Sequence, residues 1–325
     1  MVTISDYSTV RELSQKVRAN VGKVIIGKED IVDKLFIALI TAGHVLLEDV
    51  PGTGKTLLAK SMARSVDCTF KRVQFTPDLL PSDLSGIYYF NQKISEFEFR
   101  PGPLFTHILL ADEINRATPR TQSVLLECME ERQISIDGVT HKLENPFLVI
   151  ATQNPLEQQG TFPLPEAQLD RFLFKLSMGY PTPDESVLIL KRFKEEQPLE
   201  QLAAAASVQE LLQARRVAAK MFVSDDVLKY IVELAERTRK DESVASGVSP
   251  RGCQALLKAV QVHAILQGRD FVTPDDVKFL ASDVWAHRIL LRGTARTRGQ
   301  AGAAEEVIKR ILQQTPVPSE DNIRP

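Results

Sequence analysis

The run His44–Ser61, HVLLEDVPGTGKTLLAKS, constrains the fold of this chain more than any other stretch. Three apolar residues, Val45, Leu46 and Leu47, lead into a Pro/Gly-rich turn and then into good helix formers, which spells strand, loop, helix. The turn itself is Gly52-Thr53-Gly54-Lys55-Thr56. Glycines there let successive N–H groups converge on one anion, and the helix that begins at the turn adds its free N–H groups and positive dipole end. In that geometry Lys55 reaches the β- and γ-phosphates of a nucleotide, the Thr56 hydroxyl ligates Mg2+, and Leu57 belongs to the same cradle. The strict pattern has glycine at position 49, where this chain has Asp49. A carboxylate so near a triphosphate repels it, so Asp49 is expected to face out of the phosphate nest.

At 325 residues the chain has room for two domains. Its apolar fraction of 43% and charged fraction of 25% are those of an ordinary globular protein. A net charge of −2 gives no overall electrostatic footprint for nucleic acid. No apolar run reaches membrane-spanning length, and Met1–Asn20 is polar and amphipathic, so neither membrane insertion nor a signal peptide is expected. Cys68, Cys128 and Cys253 are odd in number and widely spaced, which fits a reduced, cytoplasmic protein. They read as small core residues.

Along the chain, Ser8–Val21 and Asp30–Ala42 have helical apolar spacing, separated by the break Val24-Ile25-Ile26-Gly27-Lys28. Ile26 and Gly27 are candidates for contact with a nucleobase or for plain core. Phe70–Phe75 alternates as a strand, and Pro77–Pro103 reads as irregular with a small hairpin between Tyr88 and Phe99. Ile108–Ala111, Phe147–Ala151 and Leu173–Leu176 are buried strands. Thr118-Pro119 caps a helix to about Arg132, and Asp137-Gly138 turns a hairpin over Ile134–Leu143. After about Thr182 the pattern changes to helix starts at Thr182-Pro183, Ser224-Asp225, Ser249-Pro250 and Thr273-Pro274, with no competing strand run.

Strands alternating with helices give a parallel sheet, whose ligands sit at the carboxyl ends of its strands. The glycine loop, Asp112-Glu113 and Asn154 all fall there. Asp112 would hold Mg2+, directly or through water, and Glu113 would polarise an attacking water. Asn154 cannot titrate, and suits the orienting of water or a γ-phosphate. Arg171 is either a structural partner of Asp170 or a transition-state finger donated by a neighbouring molecule. Arg251, just inside a helix N-terminus, either reaches nucleotide across the cleft between the two halves or lies on the surface. Arg116, Arg120 and Arg132 are candidate interface charges.

In this order EDVPGTGKT, ILLADEINRA, ATQNP, LPEAQLDRF and SPRG resemble the motif series of the MoxR family of AAA+ ATPases. FTPDLLPSDLSG, FEFRPGPLF and LLECMEERQISIDG make the match specific, and it covers nearly the whole chain. The resemblance implies an α/β fold: a P-loop AAA+ αβα core with a parallel sheet over 1–182, an all-helical lid domain over 183–315, and a flexible tail over 316–325. Within the core it implies a helix-2 insert at about 77–103 and a pre-sensor hairpin at about 133–146. It further implies Walker A at Gly52–Thr56, Walker B at Asp112 and Glu113, sensor 1 at Asn154, an arginine finger at Arg171 and sensor 2 at Arg251. Whether Arg251 serves its own subunit's nucleotide or a neighbour's stays open.

ATP and Mg2+ are the implied cofactors. A finger supplied in trans needs a head-to-tail homo-oligomer, which the resemblance makes a hexameric ring. The implied activity is Mg-ATP hydrolysis by a chaperone-like machine for the maturation, activation or metal and cofactor loading of client protein complexes, with von Willebrand factor A domain partners. Two rival machines share the motif set. A helicase-like DNA translocase would offer basic hairpins to a backbone, but ISIDGVTHKLE sets Asp137 and Glu144 against His141 and Lys142. A magnesium-chelatase-like ATPase subunit would act on a tetrapyrrole enzyme, for which the sequence has no specific feature in either direction.

Overall fold

The computed structural model describes residues 4–155, 160–195, 198–293 and 302–319. Two helices come first. α1 (Ile4–Gly22) buries Val10, Leu13, Val17 and Val21, the one-face spacing of an amphipathic helix. α2 (Glu29–Thr41) is buried almost all round and stops where Ala42 turns left-handed at φ 56°. The alternating part follows: β1 (Val45–Glu48), α3 (Lys55–Ser65), β2 (Phe70–Gln74), the short α4 (Pro81–Ser85), the hairpin β3 (Gly86–Asn91) and β4 (Glu96–Pro101), then β5 (Ile108–Asp112). Next come α5 (Pro119–Glu131), the hairpin β6 (Gln133–Ile136) and β7 (Val139–Lys142), β8 (Leu148–Gln153), the one-turn α6 (Glu166–Leu169) and β9 (Phe174–Leu176). The remainder is α7 (Pro183–Glu195), α8 (Val208–Ala218), α9 (Asp225–Lys240), β10 (Val244–Ser246), α10 (Pro250–Leu266), α11 (Pro274–Trp285), β11 (Leu290–Leu291) and α12 (Ala303–Gln314).

β1, β2, β5, β8 and β9 form one parallel sheet in the order β2-β5-β8-β1-β9. The three inner strands are continuous apolar runs because both of their faces are covered. Val45 and Leu47 pack with α1, α2 and α3, whereas Leu46 packs on the other face with Leu109, Leu125 and Phe75. The first of these clusters runs on without a break into α8, α9, α10 and α11 through Leu211, Leu234, Leu256 and Val277. The helical half therefore shares a core with α1 and α2.

Local signals explain most boundaries. Ser207, Ser224 and Ser249 accept the N–H of the residue three positions on, at 3.3, 3.3 and 3.1 Å, and so start α8, α9 and α10. Asp137 and Gly138, at φ 50° and 82°, make the tight turn between β6 and β7. Thr118 behaves differently from expectation. Its hydroxyl meets Thr121 Oγ1 at 3.4 Å instead of capping, so the extended Thr118 backbone and Pro119 begin α5. The segment read as irregular holds α4 beside its hairpin, and β10 pairs with β11 within the mostly helical half. Of the tail, 320–325 lies outside the described residues. No described helix is long and apolar enough to cross a membrane. Burial pushes the Cys68 and Cys128 thiols up to about 12, as expected of packed rather than reactive cysteines.

Candidate active site

The register of the sheet sets the site. Leu47 on β1 and Asp112 on β5 stand at the level of Thr152 on β8, and Gln74 on β2 pairs with Asp112. The loop Asp49–Gly54, Asp112-Glu113 and Asn154 thus emerge side by side at the carboxyl edge. Gly52 and Gly54 take φ 83° and 90°, a backbone that only glycine adopts without strain, and Gly54 precedes the first residue of α3. Lys55 Nζ donates to Asp49 O and Val50 O, both at 2.9 Å, so the ammonium folds over its own loop. Thr56 and Leu57 follow in the first turn of α3, where backbone N–H groups have no helical acceptor.

Asp49 is 6% exposed. Its carboxylate accepts from Val50 N–H at 3.0 Å, Met178 N–H at 2.7 Å and Gly179 N–H at 2.9 Å. The acid that breaks the strict glycine pattern ties the loop to the chain leaving β9.

Asp112 and Glu113 have distinct surroundings. Asp112 Oδ2 accepts from Arg72 Nε at 3.0 Å and Nη2 at 2.6 Å, and Oδ1 accepts from Thr152 Oγ1 at 2.6 Å. Glu113 turns left-handed at φ 56°, its N–H donates to the same Thr152 oxygen at 2.8 Å, and its Oε2 accepts from Gln74 Nε2 at 2.7 Å. Arg116 Nε also lies 3.1 Å from that carboxylate. Asn154, 7% exposed, follows β8 beside them. Thr152, Gln74 and Arg72 are the functional neighbours that sequence reading misses. Their partners lie about forty positions away in sequence, and only register joins them.

Gly27, next to Ile26 in the chain, comes to the start of α7, on the same side as the outlet of β9. The φ of Gly27 is 68°, a backbone that favours glycine, and a Cβ there would displace the tip of the Glu185 side chain, 1.8 Å away at Oε1.

Arg171 and Arg251 are elsewhere. With Glu130, Asp170 and Arg288 they line a cavity of about 460 Å3 that also includes Gly43, His44 and Leu173. Those last three precede β1 and β9, so the cavity opens at the amino edge, opposite the glycine loop. Arg251 pairs with Glu130 and lies 3.9 Å from Asp170, while Arg171 Nε is 4.0 Å from Glu130. That Nε is buried without a hydrogen-bond acceptor. The two arginines are together, and neither is with the phosphate loop of its own chain. Of the other arginines, Arg132 is a core strut, its guanidinium on the carbonyls of Ala42 and Phe147.

This arrangement can be set beside known proteins. The model of the ATPase family associated with various cellular activities matches residues 44–174, and an AAA lid domain model matches 236–311. The chain is 48% identical over 299 residues to the uncharacterized protein YeaC of Bacillus subtilis, across 92% of this chain and 93% of that one. It is 43% identical over 307 residues to chaperone MoxR1 of Mycobacterium tuberculosis, across 92% of this chain and 80% of that one. A crystal structure from Cytophaga hutchinsonii, provisionally described as an ATPase, superposes with a TM-score of 0.90 at 38% identity, covering 97% of this chain and 98% of the other. A glycine loop, an acidic pair and a polar strand end on one sheet edge, with this likeness over nearly the full length, identify the chain as an ATP-hydrolysing member of the MoxR family of AAA+ ATPases.

Proposed function

We propose that this chain works as a ring of identical subunits, in which each nucleotide is held by one subunit and its hydrolysis is completed by Arg171 and Arg251 of the next. One observation carries the reading: the phosphate loop and the arginine pair lie at opposite edges of the same sheet. A group that cannot reach its own nucleotide can reach a neighbour's across a head-to-tail contact, and such contacts close into rings. Six is the ring size that the family resemblance implies.

Within one subunit the roles divide by chemistry. Gly52, Thr53 and Gly54 present N–H groups to the phosphates, Lys55 supplies a fixed cation, and Leu57 and Ile26-Gly27 flank the nucleotide. Glu113 polarises the attacking water and Asn154 orients it. The hard oxygens of Thr56 and Asp112 suit Mg2+. Both Asp112 oxygens already accept hydrogen bonds, so the carboxylate fits an ion held through water better than one held directly. Mg2+ would neutralise phosphate charge there.

The work done with this hydrolysis is chaperone-like remodelling of a client complex, for its activation or for metal or cofactor loading, with a von Willebrand A-type protein as adaptor. The chaperone part of this reading is supported by the Mycobacterium relative, which is named a chaperone; the adaptor and the loading role rest on the family resemblance. The mechanical division is an ATPase core to about residue 182, carrying the inserts at about 77–103 and 133–146, and a lid over 183–315.

Mixing tests the shared site. Arg171→Ala and Glu113→Gln subunits, each nearly inactive alone, should regain turnover when co-assembled, because some interfaces then combine an intact Glu113 with an intact Arg171. Mixed rings with no more activity than the separate variants would sink the proposal.

A further inference from the structure

The segment carrying Arg171 is held by two consecutive residues from far along the chain. Arg288 is 3% exposed at its side chain. Its Nη1 donates to Asp170 O at 2.8 Å and its Nη2 to Phe172 O at 2.6 Å, while its guanidinium also pairs with the Asp170 carboxylate. His287 is buried, and its Nε2 donates to the same Phe172 O at 2.9 Å. The two carbonyls so gripped belong to the residues on either side of Arg171. The N–H groups of Arg171 and Phe172 bond within the single turn before them, to Gln168 O at 3.2 Å and Leu169 O at 3.0 Å. The sheet takes hold only from Leu173, whose N–H donates to His44 O at 2.8 Å, so the carbonyls flanking Arg171 are held from the helical half.

We propose that His287 and Arg288 are positioning residues for Arg171: the helical half clamps the backbone around the finger and thereby sets the angle at which its guanidinium leaves the surface. This rests on the trans role of Arg171 proposed above. A long side chain projects from two flanking peptide units, and fixing both removes the backbone freedom that would swing its tip by several ångströms. Glu130 adds the second restraint, lying between Arg171 and Arg251 and aligning one arginine from the sheet domain with one from α10. The finger is thereby registered to the helical half, so a shift of that half relative to the sheet moves Arg171 with it. Arginine suits the clamp where lysine does not, because its planar fork serves two carbonyls and a carboxylate at once.

Arg288→Lys keeps the charge and loses the fork. The expected result is kcat lower by about 10- to 100-fold, the range for a misplaced reacting group, with mant-ATP affinity and oligomer mass unchanged. The decisive comparison is a double-mutant cycle with Arg171→Ala. Once the finger is gone its positioning no longer matters, so Arg288→Lys should cost nothing more in that background. Equal losses in both backgrounds, or wild-type kcat in Arg288→Lys, overturn the clamp while leaving the finger itself in place. Wild-type kcat in Arg171→Ala overturns the trans finger and the clamp together. Should Arg288→Lys fail to assemble, the same cycle run with Asp170→Asn, which keeps the shape and removes the charge, gives the same readings.

Discussion

The Thr152 hydroxyl bridges the acidic pair of the site, donating to Asp112 Oδ1 at 2.6 Å while accepting the Glu113 N–H at 2.8 Å. One oxygen therefore orients a carboxylate on the neighbouring strand and satisfies a peptide held at φ 56°. Thr152→Val keeps the shape and removes both bonds. Leaving a buried N–H unpaired costs about 1–3 kcal/mol, so the urea midpoint should fall accordingly and kcat with it. Thr152→Ser should restore both, and a Val variant with wild-type stability would contradict the bridge.

Asp49 tests whether the departure from the glycine pattern is electrostatic or structural. Asp49→Gly restores the strict pattern but removes the acceptor of Val50, Met178 and Gly179 N–H groups. We expect a loss of about 1–3 kcal/mol in stability with mant-ATP affinity unchanged, since the carboxylate is already turned onto those amides. Markedly tighter nucleotide binding in the variant would mean that the charge restrains the site after all.

Lys55 holds two carbonyls of the glycine loop, at the start of α3. Charge-assisted hydrogen bonds are worth about 1.5–3 kcal/mol each, so Lys55→Ala should weaken ATP by at least about 100-fold, or ~2.7 kcal/mol. Fluorescence titration with mant-ATP measures this directly. Near-native affinity would remove Lys55 from the cradle.

Two imidazoles make the fold sensitive to mild acid. Burial and the neighbouring Arg288 push His287 down to about 3, and burial with Arg132 lowers His44 well below the usual histidine range. The geometry agrees: His44 Nδ1 accepts from Val149 N–H at 2.9 Å, so a proton there would face a donor. Above about pH 6.5 both states are neutral and nothing is lost. Below it the unfolded chain takes up protons that the native state refuses. Stability then falls, approaching ~1.4 kcal/mol per pH unit for each imidazole, and for His287 until its native value is reached. Urea midpoints between about pH 7.5 and 5.5, above the ordinary carboxylate range, should decline, and a flat profile would refute the assignment.

The sequence by itself determined the five strands of the parallel sheet, the glycine loop and the acidic pair, but not the short β10–β11 pair. Each of these is a local matter: Val45–Leu47 is apolar because both faces of β1 are covered, and Gly52 and Gly54 are glycines because their backbone is left-handed. The Ser-Asp and Ser-Pro helix starts were legible for the same reason, since a cap is written within four residues. Thr118 shows the limit of such rules, its hydroxyl being drawn to Thr121 instead of a backbone N–H.

What only the tertiary structure decided is who faces whom. Asp49 could have threatened the phosphates or braced the loop, and the answer lay in Met178 and Gly179, more than a hundred positions away. Arg171 and Arg251 were separate candidates in the sequence, and packing of α10 against the sheet domain placed both on Glu130, at the edge away from their own glycine loop. No pattern marked Gln74, His287 or Arg288, and Thr152 lay within ATQNP with no sign of its bridging role. Their significance comes from strand register and from the meeting of two halves of the chain, and side-chain periodicity encodes which face is buried but not which distant partner will be found there.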